Sequence, residues 1–186
     1  MATTAVTAPA VPTTTWNIDP AHSSAQFKVR HMMISNVKGE FTHVKGTLKY
    51  DSQNVANSYV EASIGAAALN TRDPQRDAHL KSPDFFDVEK FPTLSFQSTS
   101  VSKNGGELAV AGNLTVHGVT RNVVFEVEGL SEPTKDPWGN TRIGLSATTQ
   151  INRKDFGLTW NATLETGGIL VGDEVHITLD VEFIKA

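Results

Sequence analysis

A chain of 186 residues with a net charge of -4 and a pI near 5.8 is long enough to bury one sizeable core, and its dispersed lysines and arginines predict no basic field for nucleic acid or an anionic membrane. It has no cysteine, which excludes disulfides, thiol catalysis, iron–sulfur clusters and thiolate zinc sites. No stretch approaches the ~20 apolar residues of a membrane-spanning helix, so only peripheral membrane contact stays open.

Residues 1–15 are mostly Ala, Thr, Val and Pro without charge, and a disordered arm is expected there, with a single domain over 16–186. The arm lacks the basic start and unbroken apolar run of a secretory leader. Cytoplasmic residence is the expectation, or the periplasm if a native leader has been removed.

From Ala25 to His31 apolar and polar residues alternate, with Ala25, Phe27, Val29 and His31 on one face, which predicts a half-buried strand. The run from Val37 to Tyr50 changes parity, odd through Phe41 and even from Val44, and predicts a bulge near His43. Tyr59 to Gly65 alternates again. The stretch from Asn70 to Asp87 breaks the pattern. Asp73 can cap a helix, Pro74 suits its first position and Ser82-Pro83 stops it, so one short helix is predicted inside 73–83. It carries Arg76, Asp77, His79 and Leu80 and runs into Phe85-Phe86. Beyond it, Leu94 and Phe96 begin a strand that turns at Asn104-Gly105-Gly106, and His117-Gly118 marks a second tight hairpin. Strands containing Phe125, Ala147 and Ile177 complete a set of about eight. Their length favours a closed antiparallel barrel over a sandwich, because closure leaves no long edge exposed.

The chemistry-bearing residues mostly carry structural readings. Six histidines, at 22, 31, 43, 79, 117 and 176, show no metal-binding spacing, and no metal, cofactor or catalytic residue is expected. His31 turns inward, where a hydrogen-bonded interior histidine is favoured over a ligand contact. The acids fall in turns or on outward faces, Asp136 and Glu182 among them, where solvation is the ordinary reading.

Seven motifs then add up. Trp16-Asn17-Ile18-Asp19, His22-Ser23, Phe27-x-Val29-x-His31, Gly39-x-Phe41, the run Arg76-Asp77-x-His79-Leu80-x-Ser82-x-Asp84-Phe85-Phe86, Leu114-Thr115-x-x-Gly118-Val119-Thr120-Arg121 and Ile151-x-Arg153-x-Asp155-Phe156-Gly157 resemble the YceI-like, polyisoprenoid-binding family, in its order, from Trp16 to the end. The resemblance implies an all-β protein, an extended eight-stranded antiparallel lipocalin-like β-barrel with one short helix. It also implies an interior that holds a long apolar chain such as a polyprenyl phosphate, a quinone tail or a fatty amide. Small inward residues, Ala25, Ala62, Gly112 and Ala147, with Gly144 nearby, leave volume for such a guest. The expected tunnel is lined by Phe27, Val29, His31, Phe41, Phe85, Phe86, Phe96 and Phe125. Arg76, Asp77 and His79 are expected either to meet a polar head at its mouth or merely to cap and dock the helix. A carrier of isoprenoid or other long-chain lipid leads. An enzyme using His31, His79 or Arg76, and a structural stress or partner-binding module with a filled core, are the alternatives. A homodimer stays open.

Overall fold

Alternation of inward and outward side chains puts the long strands in one antiparallel sheet that closes on itself. The structure, a computed structural model, describes residues 13–186. The expected arm lies outside the described residues through residue 12, and the first strand already begins at Thr14. The strands are β1 (Thr14–Ile18), β2 (Ser24–His31), β3 (Ser35–Phe41), β4 (Lys45–Tyr50), β5 (Tyr59–Gly65), β6 (Leu69–Asn70), β7 (Thr93–Asn104), β8 (Glu107–Val116), β9 (Val119–Glu128), β10 (Thr134–Lys135), β11 (Thr141–Asn152) and β12 (Val171–Lys185). The ring runs β12–β1–β4–β5–β7–β8–β9–β11 and returns to β12, which makes eight strands.

Two walls of the ring are broken strands. β12 pairs along one edge with β11 and along the other first with β2, from Val171 to Asp180, and then with β1, from Phe183 to Lys185. β1 and β2 are thus one wall interrupted at Asp19–Ser23, and β4 and β3, which pair with them, form the next. The expected bulge near His43 takes the form of this second interruption: His43 has φ 60°, and the left-handed residue flips the inward face from odd to even positions.

The hairpin turns use the residues their geometry demands. Gly105 and Gly106 have φ 59° and 102°, and His117 and Gly118 have 52° and 70°, the positive values that a two-residue turn needs. The helix, α1 (Pro74–Lys81), starts where Asp73 accepts the Gln75 and Arg76 backbone N–H groups at 3.1 Å each and stops at Ser82, as its capping residues predict. The segment carrying α1 links β5 to β7 and covers one end of the barrel, here the helix end. The opposite end carries the β7–β8 turn and the connections 51–58 and 129–133. Single turns of 3-10 helix lie at Val55–Asn57, Ala66–Ala68 and Arg153–Phe156.

The core divides along the barrel axis. Trp16, Ile18, Phe41, Leu48, Ile143 and Phe183 form its largest buried group. Leu114, Val116, Phe156 and Leu158 form a second, and Phe125, Val127 and Ala147 a third.

Candidate ligand cavity

At the helix end the polar cluster is spent on holding α1 in place. Asp77 accepts the Thr71 backbone N–H at 2.8 Å and the Thr71 hydroxyl at 2.5 Å. Arg76 donates from Nε to the Thr71 hydroxyl and from Nη2 to the Thr71 carbonyl, both at 2.8 Å. Thr71 is buried, so these bonds satisfy backbone groups that would otherwise be orphaned. His79 Nε2 lies 2.9 Å from Asp84 Oδ2, and its ring packs edge-on against Phe85 and Trp160. The geometry of all three residues is that of a cap and dock.

Beneath the helix the aromatic side chains interlock. Phe27 packs on Phe41 with ring centroids 5.8 Å apart, and Phe41 meets Phe86 edge-on at 5.5 Å. This group plugs the helix end. The barrel interior encloses a cavity of about 210 Å³. Phe96 and Phe125 border it, packed edge-on against each other at 5.3 Å. The other expected lining residues lie elsewhere: Phe27, Phe41 and Phe86 build the plug, Phe85 packs against His79 and Trp160, Val29 pairs with Val37 and Val175 of the neighbouring strands, and His31 sits half-buried at the last pair before the β2–β3 turn. None of Phe27, Phe41, Phe85, Phe86, Arg76, Asp77 or His79 borders the cavity, although its wall reaches Ile64, Leu94 and Val116, where β5, β7 and β8 meet the helix end.

The cavity wall is hydrocarbon almost throughout. Ala25, Ala62 and Ala147 border it, as their small inward side chains predict, along with Leu48, Leu108, Val110, Leu145, Ile177 and Leu179. Gly112 leaves no free volume, since the Phe96 ring occupies the place its side chain would take. Toward the end away from the helix the wall passes into Tyr50, Val55, Ser58, Tyr59 and Leu130, all partly exposed. Tyr59 has its phenol pKa raised, first by burial and then by the neighbouring Glu61 carboxylate. The connection that carries Val55 is tied down by Asp51. Its carboxylate accepts the Gln53 and Asn54 backbone N–H groups and the Asn57 amide, each at 2.9 Å. The Asn57 bond is the first reason its pKa falls below the usual carboxylate value.

Two arginine networks escape sequence reading. Arg142 Nη1 donates to Asp19 at 2.7 Å and to Glu182, and its Nε donates to Asp136 at 2.7 Å. The guanidinium holds Asp19 down at about 2 and Asp136 lower still, and is itself raised. His22 Nδ1 stands 2.8 Å from the same Asp19. Asp19, His22 and Glu182 could together ligate a metal ion, but a dication there would compete with Arg142 for both carboxylates. Arg153, 3% exposed, donates to the carbonyls of Gly172, Leu158, Trp160 and Val171 and to Asp173, so it staples the 157–172 connection to the barrel. Burial lowers its pKa. No local spacing announces the first network, whose members lie 123 and 40 residues apart. For the second, the only signal is the arginine of the Ile151-x-Arg153-x-Asp155-Phe156-Gly157 motif.

Comparisons with known proteins agree with this architecture. The YceI-like domain profile matches residues 16–183. A UPF0312 protein of Staphylococcus aureus strain N315 is 35% identical over 171 residues, which cover 91% of this chain and 97% of that protein. The crystal structure of the Campylobacter jejuni YceI protein superposes with a TM-score of 0.71 at 28% identity, covering 86% of this chain and 91% of that one. BcnA of Burkholderia cenocepacia gives 0.77 at 22% identity, covering 89% and 98%. A structure described as a polyisoprenoid binding domain from Saccharophagus degradans gives 0.65 at 14% identity, covering 92% and 98%. These last two show the shared fold. With the profile and the staphylococcal relative each spanning nearly all of the described barrel, the chain belongs to the YceI-like domain family.

Proposed function

We propose that this barrel binds the hydrocarbon chain of an isoprenoid or other long-chain lipid in its interior, for sequestration, storage or transport. The observation that carries the reading is the cavity of about 210 Å³, whose wall bears no carboxylate, imidazole, amine or guanidinium. Such a wall offers a guest apolar contact and almost nothing else, so it suits a saturated or polyunsaturated chain and not a substrate that must be polarised. The titratable groups in the wall are the phenols of Tyr50 and Tyr59 at its rim, so the inner wall supplies no group for general acid–base chemistry. A shared fold with a neighbour described as a polyisoprenoid binding domain supports the isoprenoid class. The partly exposed rim of Tyr50, Ser58 and Tyr59 carries three hydroxyl-bearing residues of the cavity wall, and a polar head is placed there in this reading, at the end away from α1.

Native mass spectrometry of protein purified without detergent tests it. A bound lipid released on activation, and absent after organic extraction, is the expected result. Protein of the bare chain mass that also fails to take up a polyprenyl phosphate or a quinone would overturn the reading in favour of a structural module.

A further inference from the structure

The β2–β3 hairpin is built against the ordinary rules for a turn. Its two central residues are Met32 and Met33, with φ 51° and 61°, and the Ile34 N–H closes the turn on the His31 carbonyl at 3.1 Å. A two-residue turn with both residues left-handed is normally Asn-Gly, because a side chain with a Cβ is strained there. The strain is accompanied by exposure: Met33 is 54% and Ile34 76% exposed, beside Met32 at 39% and Ile169 at 40% on the adjoining connection. Local stability would favour small polar residues at all of these positions.

Behind the tip the outward face is basic. Lys28 on β2 stands directly opposite Lys38 on β3 and directly opposite His176 on β12, and Arg30 follows Lys28 toward the turn. Like charges facing each other across a strand pair are destabilising unless something neutralises them. Nearby acids do not: Asp173 is engaged by Arg153 at 3.3 Å and Lys154 at 2.9 Å, and Glu174 by His176 at 3.1 Å. Among the described residues, Lys28, Arg30 and Lys38 form no ion pair. Lys28, Arg30, Met33, Asn36 and His176 line a groove at this place together with Gly172 and the engaged acids Asp173 and Glu174.

We propose that this hairpin docks the protein on an anionic lipid bilayer, with Met32, Met33 and Ile34 entering the interface and Arg30, Lys28 and Lys38 meeting the headgroups. Arg30 and the Lys28–Lys38 pair stand roughly 8 and 15 Å behind the turn at the ~3.3 Å rise of a strand. With the tip sunk about 5–10 Å into the interface, Arg30 stands at headgroup level and the Lys28–Lys38 pair within a Debye length of the anionic surface. A narrow convex tip suits a fluid surface, which closes around it, better than a rigid protein face. The inference stands on the outer surface and does not depend on what the cavity holds.

Flotation with vesicles of phosphatidylcholine alone, and of phosphatidylcholine mixed with phosphatidylglycerol, tests it. The unaltered chain is expected to float with the mixed vesicles and to be released by salt. Replacing Met32→Asn together with Met33→Gly relieves the turn, so the melting temperature is expected to hold or rise while vesicle affinity falls about tenfold or more. Lys28→Gln with Lys38→Gln removes the repulsion and is expected to cost about tenfold in affinity for mixed vesicles only. If the unaltered chain floats with neither vesicle, or if both variants float as it does, the proposal fails. It fails equally if sedimentation without vesicles shows a dimer that the Met32 and Met33 replacements dissociate, for the tip would then be an interface between two copies.

Discussion

Phe27 and Gly39 face each other across the β2–β3 pair, and the Phe27 ring lies in the space that any side chain at position 39 would fill. A Cβ there would overlap the ring and come within 2.9 Å of Thr71 Cγ2. The aromatic plug, the glycine and the residue that docks the helix are therefore one packed unit. Replacing Gly39→Ala is expected to cost about 1–3 kcal/mol by chemical denaturation, as overpacked cores do. Combining it with Phe27→Ala should recover part of that loss. Simple additivity of the two changes would show that the residues are not coupled.

Ala147 borders the cavity and is 4% exposed. A larger side chain there grows into existing free volume, so Ala147→Phe is expected to lower ligand-free stability by less than about 1.5 kcal/mol. Co-purifying lipid should nevertheless drop well below that of the unaltered protein. Undiminished lipid in the native mass spectrum would place the guest outside this cavity.

The docking bonds at α1 make a contrasting prediction. Asp77→Ala strips the buried Thr71 N–H and hydroxyl of a charged acceptor and is expected to cost about 1.5–3 kcal/mol. Affinity for a phosphorylated lipid and for its dephosphorylated counterpart should change equally. A loss confined to the phosphorylated ligand would restore this helix as the head-group site.

Arg142 sets an acid limit on stability. Asp19 is held at about 2 and Asp136 lower still by the same guanidinium. Because the folded values lie below the ordinary carboxylate value of about 3.9, this contribution is complete at neutral pH and is lost as pH falls from about 4 through 2 and below. In Arg142→Gln the melting temperature at neutral pH is expected to drop, and its further fall between about pH 4 and 2 to become shallower. Parallel acid profiles for the two proteins would show that these carboxylates do not govern the limit.

Strand parity, capping residues and turn dipeptides act over a few residues, and what depends on them was readable. Asp73 and Ser82 bound α1, Gly105 and Gly106 form the turn, and the parity change at His43 marks a real break. Parity also identifies which side chains point inward, and so it found Ala147 and Phe125. It does not say at what height along the axis the interior is filled. Phe27, Phe41 and Phe86 point inward like Phe96, yet they meet one another and close the space. Val55 and Leu130 reach the cavity from irregular connections, where no period exists to reveal them. Arg142 gathers one acid from six residues away and two from 123 and 40 residues away, and Asp136 and Glu182, each taken in its own stretch of chain, look solvated.

β12 is the last strand of the chain, and it pairs with β11, β2 and β1. Until it emerges, the first two strands have no partner along one edge and the ring has no seam, so a chain growing from the ribosome carries an open, apolar-lined sheet until this strand is made. Closure waits for contacts between residues as far apart as Trp16 and Lys185, which makes folding a late and comparatively slow event. Loss of the final strand would leave a sticky open sheet, the form of this molecule most exposed to aggregation.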